Sequence, residues 1–174
     1  MKKIFGYGIF FLTTIILGTE CMRPPEYWSQ ETLDNQFYME IDGRPALANT
    51  RYDVPAYFLT ADSLLVIEAH FSSNPLGSAL HLWMFIRDFR GEGSYLIENY
   101  ADSLFYTRNT ALMVWKGKKF YPVSPPEGYV RILHFDTLER HISGIFAIDV
   151  RHDTIIHSLQ NGFFDWNFFD KLQK

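Results

Sequence analysis

Six histidines and a single cysteine are the side chains with the most chemistry to offer in this 174-residue chain. His134 and His141 stand either side of the polar stretch Asp136-Thr137-Leu138-Glu139. If that stretch is a four-residue hairpin loop, the two rings face each other across it. Directly opposite residues have Cβ atoms ~4.5–5.5 Å apart, near enough to share a metal. A structural metal site also needs further ligands, and these usually show local spacing such as His-x-His or HExxH. His70, His81, His152 and His157 are scattered and supply none. His134 and His141 are therefore a weak candidate pair. The expectation is two strand histidines, with no metal and no cofactor.

Other constellations reduce to simpler readings. Gly91-Glu92-Gly93 lacks the third glycine and following helix of a phosphate-binding loop, so it reads as a turn. Glu98 with Asp102, or Asp149 with Asp165, offers a carboxylate pair, but only a measured separation gives such a pair a mechanism. No G-x-S-x-G nucleophile elbow is present. No catalytic residue is expected and the chain is not read as an enzyme. An enzyme would need a cleft with two convergent titratable groups. The aromatics Trp28, Trp83, Trp115, Trp166, Tyr100 and Tyr106 are expected mostly in a core. Trp115, near the tip at Gly117, and Trp166, near the chain end, are expected to be the most exposed. They would carry a glycan or lipid platform if there is one.

The elements that must position these residues are strands. Gly128 to Val150 carries two runs of β-branched and aromatic residues around the Asp136 turn, a hairpin signature. A four-residue loop pairs Phe135 with Arg140, His134 with His141 and Leu133 with Ile142. Alternation then puts Leu133, Ile142, Phe146 and Ile148 on one face, with Gly144 opposite Arg131 and open to a bulky neighbour. Val130, Ile132 and Ile145 take the other face, with His134, His141 and Ser143. Both faces carry apolar residues, as in a central hairpin covered on both sides.

Further strands are expected over Phe37–Ile41, Ala46–Thr50, Pro55–Thr60, Ser63–Phe71, Ala79–Arg87 and Ser94–Glu98. Leu104–Thr107, Thr110–Lys116, Lys118–Tyr121 and Thr154–Gln160 follow. Asp42-Gly43 is a hairpin turn signal, and Lys116-Gly117-Lys118-Lys119 a charged hairpin tip. Asn161-Gly162 reads as a turn before a short closing strand, Phe163–Asp165. Trp166 to Lys174 is a helical turn or tail. Many short strands with frequent turns predict an all-β fold, an antiparallel β-sandwich or partly open barrel built from hairpins.

The N-terminus reads as an address. Lys2-Lys3 precedes the uncharged, mostly apolar run Ile4–Thr19, an export signal over residues 1–20 that is too short to span a bilayer core. Cys21, the only cysteine, follows it directly and cannot form a disulfide within the chain. Its place matches the acylated cysteine of a bacterial lipoprotein, with Glu20 where a small residue is usual. Residues 21–35, with Pro24-Pro25, are a tether. The β-domain runs over 36–165 and a tail over 166–174. With 16 basic and 20 acidic residues and no basic run beyond the hairpin tip, nucleic acid is not an expected partner.

Several short pieces resemble a family of uncharacterised Bacteroidota lipoproteins. They are Phe37-Tyr38-Met39-Glu40-Ile41-Asp42-Gly43, Gly93-Ser94-Tyr95-Leu96, Gly128-Tyr129-Val130-Arg131-Ile132, Ile142-Ser143-Gly144-Ile145-Phe146 and Asn161-Gly162-Phe163-Phe164-Asp165. The resemblance implies an exported β-domain held at a membrane, in the outer membrane of the cell envelope, by an acyl anchor on Cys21. It implies no catalytic residues. Binding of an envelope protein partner is the expected function. An exposed apolar patch on one sheet would support it.

Overall fold

The computed structural model describes residues 36–48, 56–59, 63–72, 74–98, 108–123 and 128–170. Among them there are eleven strands and no helix: β1 Gln36–Ile41, β2 Arg44–Leu47, β3 Ala56–Leu59, β4 Leu64–Phe71, β5 Leu80–Ile86, β6 Gly93–Ile97, β7 Thr110–Trp115, β8 Lys118–Pro122, β9 Gly128–Asp136, β10 His141–His152 and β11 Ile155–Asp170. The protein is all-β, as its composition predicts. Cys21, the tether and the expected strand Leu104–Thr107 lie outside the described residues.

The long β10–β11 ribbon is the frame. On its β11 side it pairs with β1, which carries β2, and on its β10 side with β9, which carries β6. That makes one sheet, β2-β1-β11-β10-β9-β6. The second, β3-β4-β5-β7-β8, joins it at two corners. One is the short parallel pairing of β11 with β3 at Phe168–Asp170, and the other the contact of β10 with β8 at Val150 and Arg151. The corners lie at opposite ends of the ribbon. The sheet thus curls on itself into a partly open barrel, every pairing but β11–β3 being antiparallel.

The core fills the inside of the curl. Phe37 of β1 is fully buried and meets Phe71 of β4 edge-on at 5.6 Å, so the two sheets interlock through this pair. Phe146 and Phe164 close around Phe37 at 5.3 and 6.1 Å. Fully burying one such ring stabilises by about 1.5–3 kcal/mol. β5 and β10 alternate buried and less buried residues, as strands with one face on a core must, whereas β4 opens with four successive buried residues, Leu64 to Ile67.

The turns predicted at Asp42-Gly43, Lys116-Gly117 and Asp136 are present. Asp42 (φ 52°) and Gly43 (φ 73°) form the β1–β2 turn, and Lys116 (φ 50°) and Gly117 (φ 73°) the β7–β8 tip. Two positive φ values in a two-residue loop match the right-handed twist of the flanking strands. Asp136 accepts hydrogen bonds from the Leu138 and Glu139 amides at 2.7 and 3.0 Å and so shapes the β9–β10 turn.

The hairpin register differs from expectation. His141 pairs with Asp136, Ile142 with Phe135 and Ser143 with His134, so each partner lies two residues from the predicted alignment. A bulge at Leu133 then brings Gly144 opposite Ile132, not Arg131. The extra residue reverses the faces: Val130 and Ile132 join Ile142, Phe146 and Ile148 in the core, and Leu133 is exposed. The hairpin's outer face is only half-covered, with Arg131 and His134 exposed.

The chain end also differs. Asn161-Gly162 is not a turn but a bulge inside β11, where the register against β1 and β10 slips. Asn161 takes φ 50° as a turn residue would, yet the strand continues on the same partners. Trp166 to Asp170 accordingly belong to β11 and not to a helical tail.

Candidate functional site

The outer face of the β2-β1-β11-β10-β9-β6 sheet is organised in rows across the strands. Paired residues share a face, so the register defines each row. Ile145 of β10, Phe163 of β11, Tyr38 of β1 and Leu47 of β2 make one apolar row. Beside it, Ala147, Tyr129 and Leu96 carry the same character out to β6. Leu47 is 47% exposed and Leu96 55%, Ile145 and Phe163 are half-buried, and Tyr38 between Leu47 and Phe163 is buried. An apolar stripe therefore crosses this face from one edge strand to the other.

Polar rows border the stripe on both sides. On one side Ser143 lies between His134 and Asp165. His141 Nε2 is 2.5 Å from Asp165 Oδ1, and His134 Nδ1 is 3.5 Å from Glu92 Oε1. The two imidazole rings are 5.5 Å apart but not directly paired, and each faces its own carboxylate. Among the described residues no group of three or more His, Cys, Asp or Glu side chains is arranged to hold a metal ion.

On the other side Asp149 accepts hydrogen bonds from Ser158 Oγ at 2.6 Å and Gln160 Nε2 at 3.3 Å. Glu40 accepts from Tyr38 Oη and Asn161 Nδ2. Asp149 and Asp165, one of the carboxylate pairs suggested by sequence, sit in opposite bordering rows with separate partners. Asp102, the partner considered for Glu98, lies outside the described residues. Glu98 itself is ion-paired with Arg108.

At one end of the ribbon the β1–β2 turn is clasped to β11. Asp42 N–H donates to Ser158 O, Ser158 N–H donates to Asp42 Oδ1, and His157 Nδ1 is 2.8 Å from Asp42 Oδ2. Desolvation works against the ionised Asp42, yet the Ser158 amide, the His157 ring and Arg44 together hold its carboxyl below the usual value. His157 is buried against Phe120 and Trp115 at 5.3 and 5.7 Å.

Neither expected platform tryptophan stands exposed. Trp115 packs against the core and donates its indole N–H to Ser78 Oγ at 2.7 Å, with the Lys116 ammonium 4.6 Å from its ring centre. Trp166 also packs against the core and pairs with Ile142. They lie at opposite ends of the ribbon and form no common surface. Trp83, on the outside of the other sheet, stacks on His81 at 5.3 Å, which in turn lies 4.2 Å from His70.

A polar groove of about 500 Å³ opens between β6 and the chain that leaves β5. Gly93, Ser94 and Tyr95 of β6 line it with three arginines, Arg87, Arg90 and Arg108, and three carboxylates, Asp88, Glu92 and Glu98. Tyr95 Oη donates to Gly91 O at 2.8 Å and Arg90 N–H donates to Tyr95 Oη, which fixes the connecting loop. Asn109 Oδ1 accepts from Arg87 N–H and Asn109 O from Glu98 N–H, which fixes the far end. Sequence reasoning missed this groove because its residues meet only through tertiary pairing.

Fold and surface together define a curled β-domain with an apolar stripe between polar borders on one outer face. No family model matches the chain, and neither a curated protein nor a solved structure matches it.

Proposed function

We propose that this chain is an exported cell-envelope lipoprotein whose β-domain binds a protein partner without catalysis. The supporting observation is the apolar stripe Leu47–Tyr38–Phe163–Ile145 with Leu96, set between ordered polar rows on one sheet. Contiguous apolar surface rimmed by polar groups is the usual mark of a protein-binding face. The charged Lys2-Lys3, the apolar run to Thr19 and Cys21 support export and acyl anchoring, and the outer membrane is the proposed address.

The test uses the full chain with Cys21 in an envelope-bearing bacterium. A photo-reactive residue at position 47 is expected to give one discrete cross-linked adduct. Ile145→Lys should abolish it, because a charge in the stripe centre must be desolvated on binding. Cys21→Ala should release the protein from the membrane fraction. Absence of any adduct, or an adduct indifferent to Ile145→Lys, would defeat the reading.

A further inference from the structure

Leu138 stands at the tip of the β9–β10 hairpin and is 93% exposed, more than any other large apolar side chain among the described residues. Single exposed leucines are common on protein surfaces. This one is held out. Its own amide and that of Glu139 donate to Asp136 Oδ1 at 2.7 and 3.0 Å, and Arg140 closes the turn at φ 56°. A turn fixed in this way keeps its tip pointed away from the domain. Leu133, brought to the surface by the bulge in β9, adds a second leucine, 45% exposed, near the same end.

The tip shares its end of the ribbon with the point where the chain enters the domain. Gln36, the first residue of β1, pairs with Asp165, which pairs with Ser143, which pairs with His134. The turn begins two residues beyond His134, at Asp136, so its tip lies about 10 Å past this row. The β10–β11 turn closes the opposite end, beyond His152 and about 30 Å from Ser143. Its apolar residues, Ile155 and Ile156, are 39% and 53% exposed. Fourteen residues separate Cys21 from Gln36 and reach at most about 50 Å. That length brings the near tip to a bilayer directly, whereas the far turn would need the chain to run back along the ribbon.

We infer that Leu138 is a second membrane contact: the β9–β10 turn rests on the bilayer that holds Cys21, with the leucine sunk between headgroups and acyl chains. The inference rests on the reading of an acyl-anchored chain and goes beyond it by fixing which end of the domain faces the lipid. Apolar side chains bury in that boundary at about 5–10 Å depth, and a second contact strengthens binding that a single lipid chain leaves marginal. A four-residue turn offers far less than the about 800 Å² that a stable protein interface takes from each partner. The turn's charges suit neutral headgroups, since Asp136 is engaged by the two amides and Glu139 and Arg140 are of opposite sign. With this end down, the apolar stripe stands along the side of the domain, free for a protein partner.

The test uses the full acylated chain in vesicles of neutral phosphatidylcholine and phosphatidylethanolamine that contain a nitroxide-labelled lipid. Acylation blocks the Cys21 thiol, so a fluorophore attached through Thr137→Cys is the single label and leaves Leu138 in place. The same fluorophore through Ile156→Cys reports the far turn. Quenching at position 137 is expected to exceed that at 156 about 3-fold or more. Leu138→Asp, in an exposed turn that tolerates it, should lower quenching at 137 to the level at 156, because a charge is not sunk among acyl chains. Ile145→Lys, in the stripe, should leave both signals as they are.

Equal quenching at the two turns, stronger quenching at 156, or quenching at 137 that survives Leu138→Asp would overturn the inference, while a chain that still pellets with the vesicles keeps the anchor. So would a fluorophore at 137 that is shielded only in native envelope vesicles, by a protein that cross-links there. A chain recovered with a free Cys21 thiol, or one that does not pellet with vesicles, would overturn the anchor reading and this inference with it.

Discussion

The ring of Phe164 lies where a side chain on Gly144 would stand. A Cβ built there would come within 2.5 Å of the Phe164 ring and of Arg131 O. The ring is flanked by its own buried neighbours and the carbonyl belongs to a paired strand, so neither can yield. Gly144→Ala is expected to destabilise the domain by about 2 kcal/mol or more, in the range of overpacked cores. For a domain of this size that lowers the thermal midpoint by about 4–8 °C. An unchanged midpoint would show that the ribbon does not pack in this way.

The clasp of Asp42 on β11 makes a pH prediction. The Asp42 carboxyl is held below its usual value in the fold. A depressed carboxylate stabilises above its unfolded pKa of about 3.9 and loses that contribution as pH falls through the folded value. Asp42→Asn removes the charge but keeps a residue suited to a turn with two positive φ values. It should cost at most about 1 kcal/mol at neutral pH, since the Asp42 side chain is 37% exposed and screened. Its stability should also fall less steeply than wild type below about pH 4. Denaturant titrations at pH 7 and pH 3 read both effects, and parallel curves would contradict the clasp.

His134 and His141 should behave differently although both stand beside carboxylates. His141 and Asp165 are 29% and 18% exposed and in close contact, whereas His134 and Glu92 are about half exposed and 3.5 Å apart. His141→Ala leaves Asp165 partly buried without its partner and should cost about 1–2 kcal/mol. His134→Ala should stay within about 0.5 kcal/mol. Urea midpoints at neutral pH compare them directly. Equal losses would mean that the diagonal contact between β10 and β11 contributes nothing.

The Asp136 turn gives a purely local test. The Glu139 and Leu138 amides that donate to its carboxylate hold Asp136 below the usual value of an aspartate. An NMR titration of the Asp136 carboxyl should place its midpoint under that value. Weakening the loop by Leu138→Pro, which deletes one donor, should move the midpoint back up. A midpoint at or above the usual value in the wild type would contradict this turn.

Short-range chemistry was legible in the chain; long-range pairing was not. Asp42-Gly43, Lys116-Gly117 and the Asp136 turn could be read directly because each depends on a few adjacent residues and their allowed φ values. The strand assignment of Leu80–Ile86 followed from its aromatic pair and flanking loops, and the all-β class from many such segments. The bulges at Leu133 and Asn161 could not be read, since an extra residue is accommodated only when the partner strand's packing favours it. One slipped residue exchanges the two faces of a strand, and that is why Val130 and Ile132 are core residues and Leu133 is not. Gly144 signalled a close approach, but only the folded ribbon identifies Phe164 as the ring that makes it. The apolar stripe draws its residues from β1, β2, β6, β9, β10 and β11, and the groove from β6 and the chain around β5 and β7. Both surfaces exist only because distant segments pair in one register, which short-range sequence patterns do not encode.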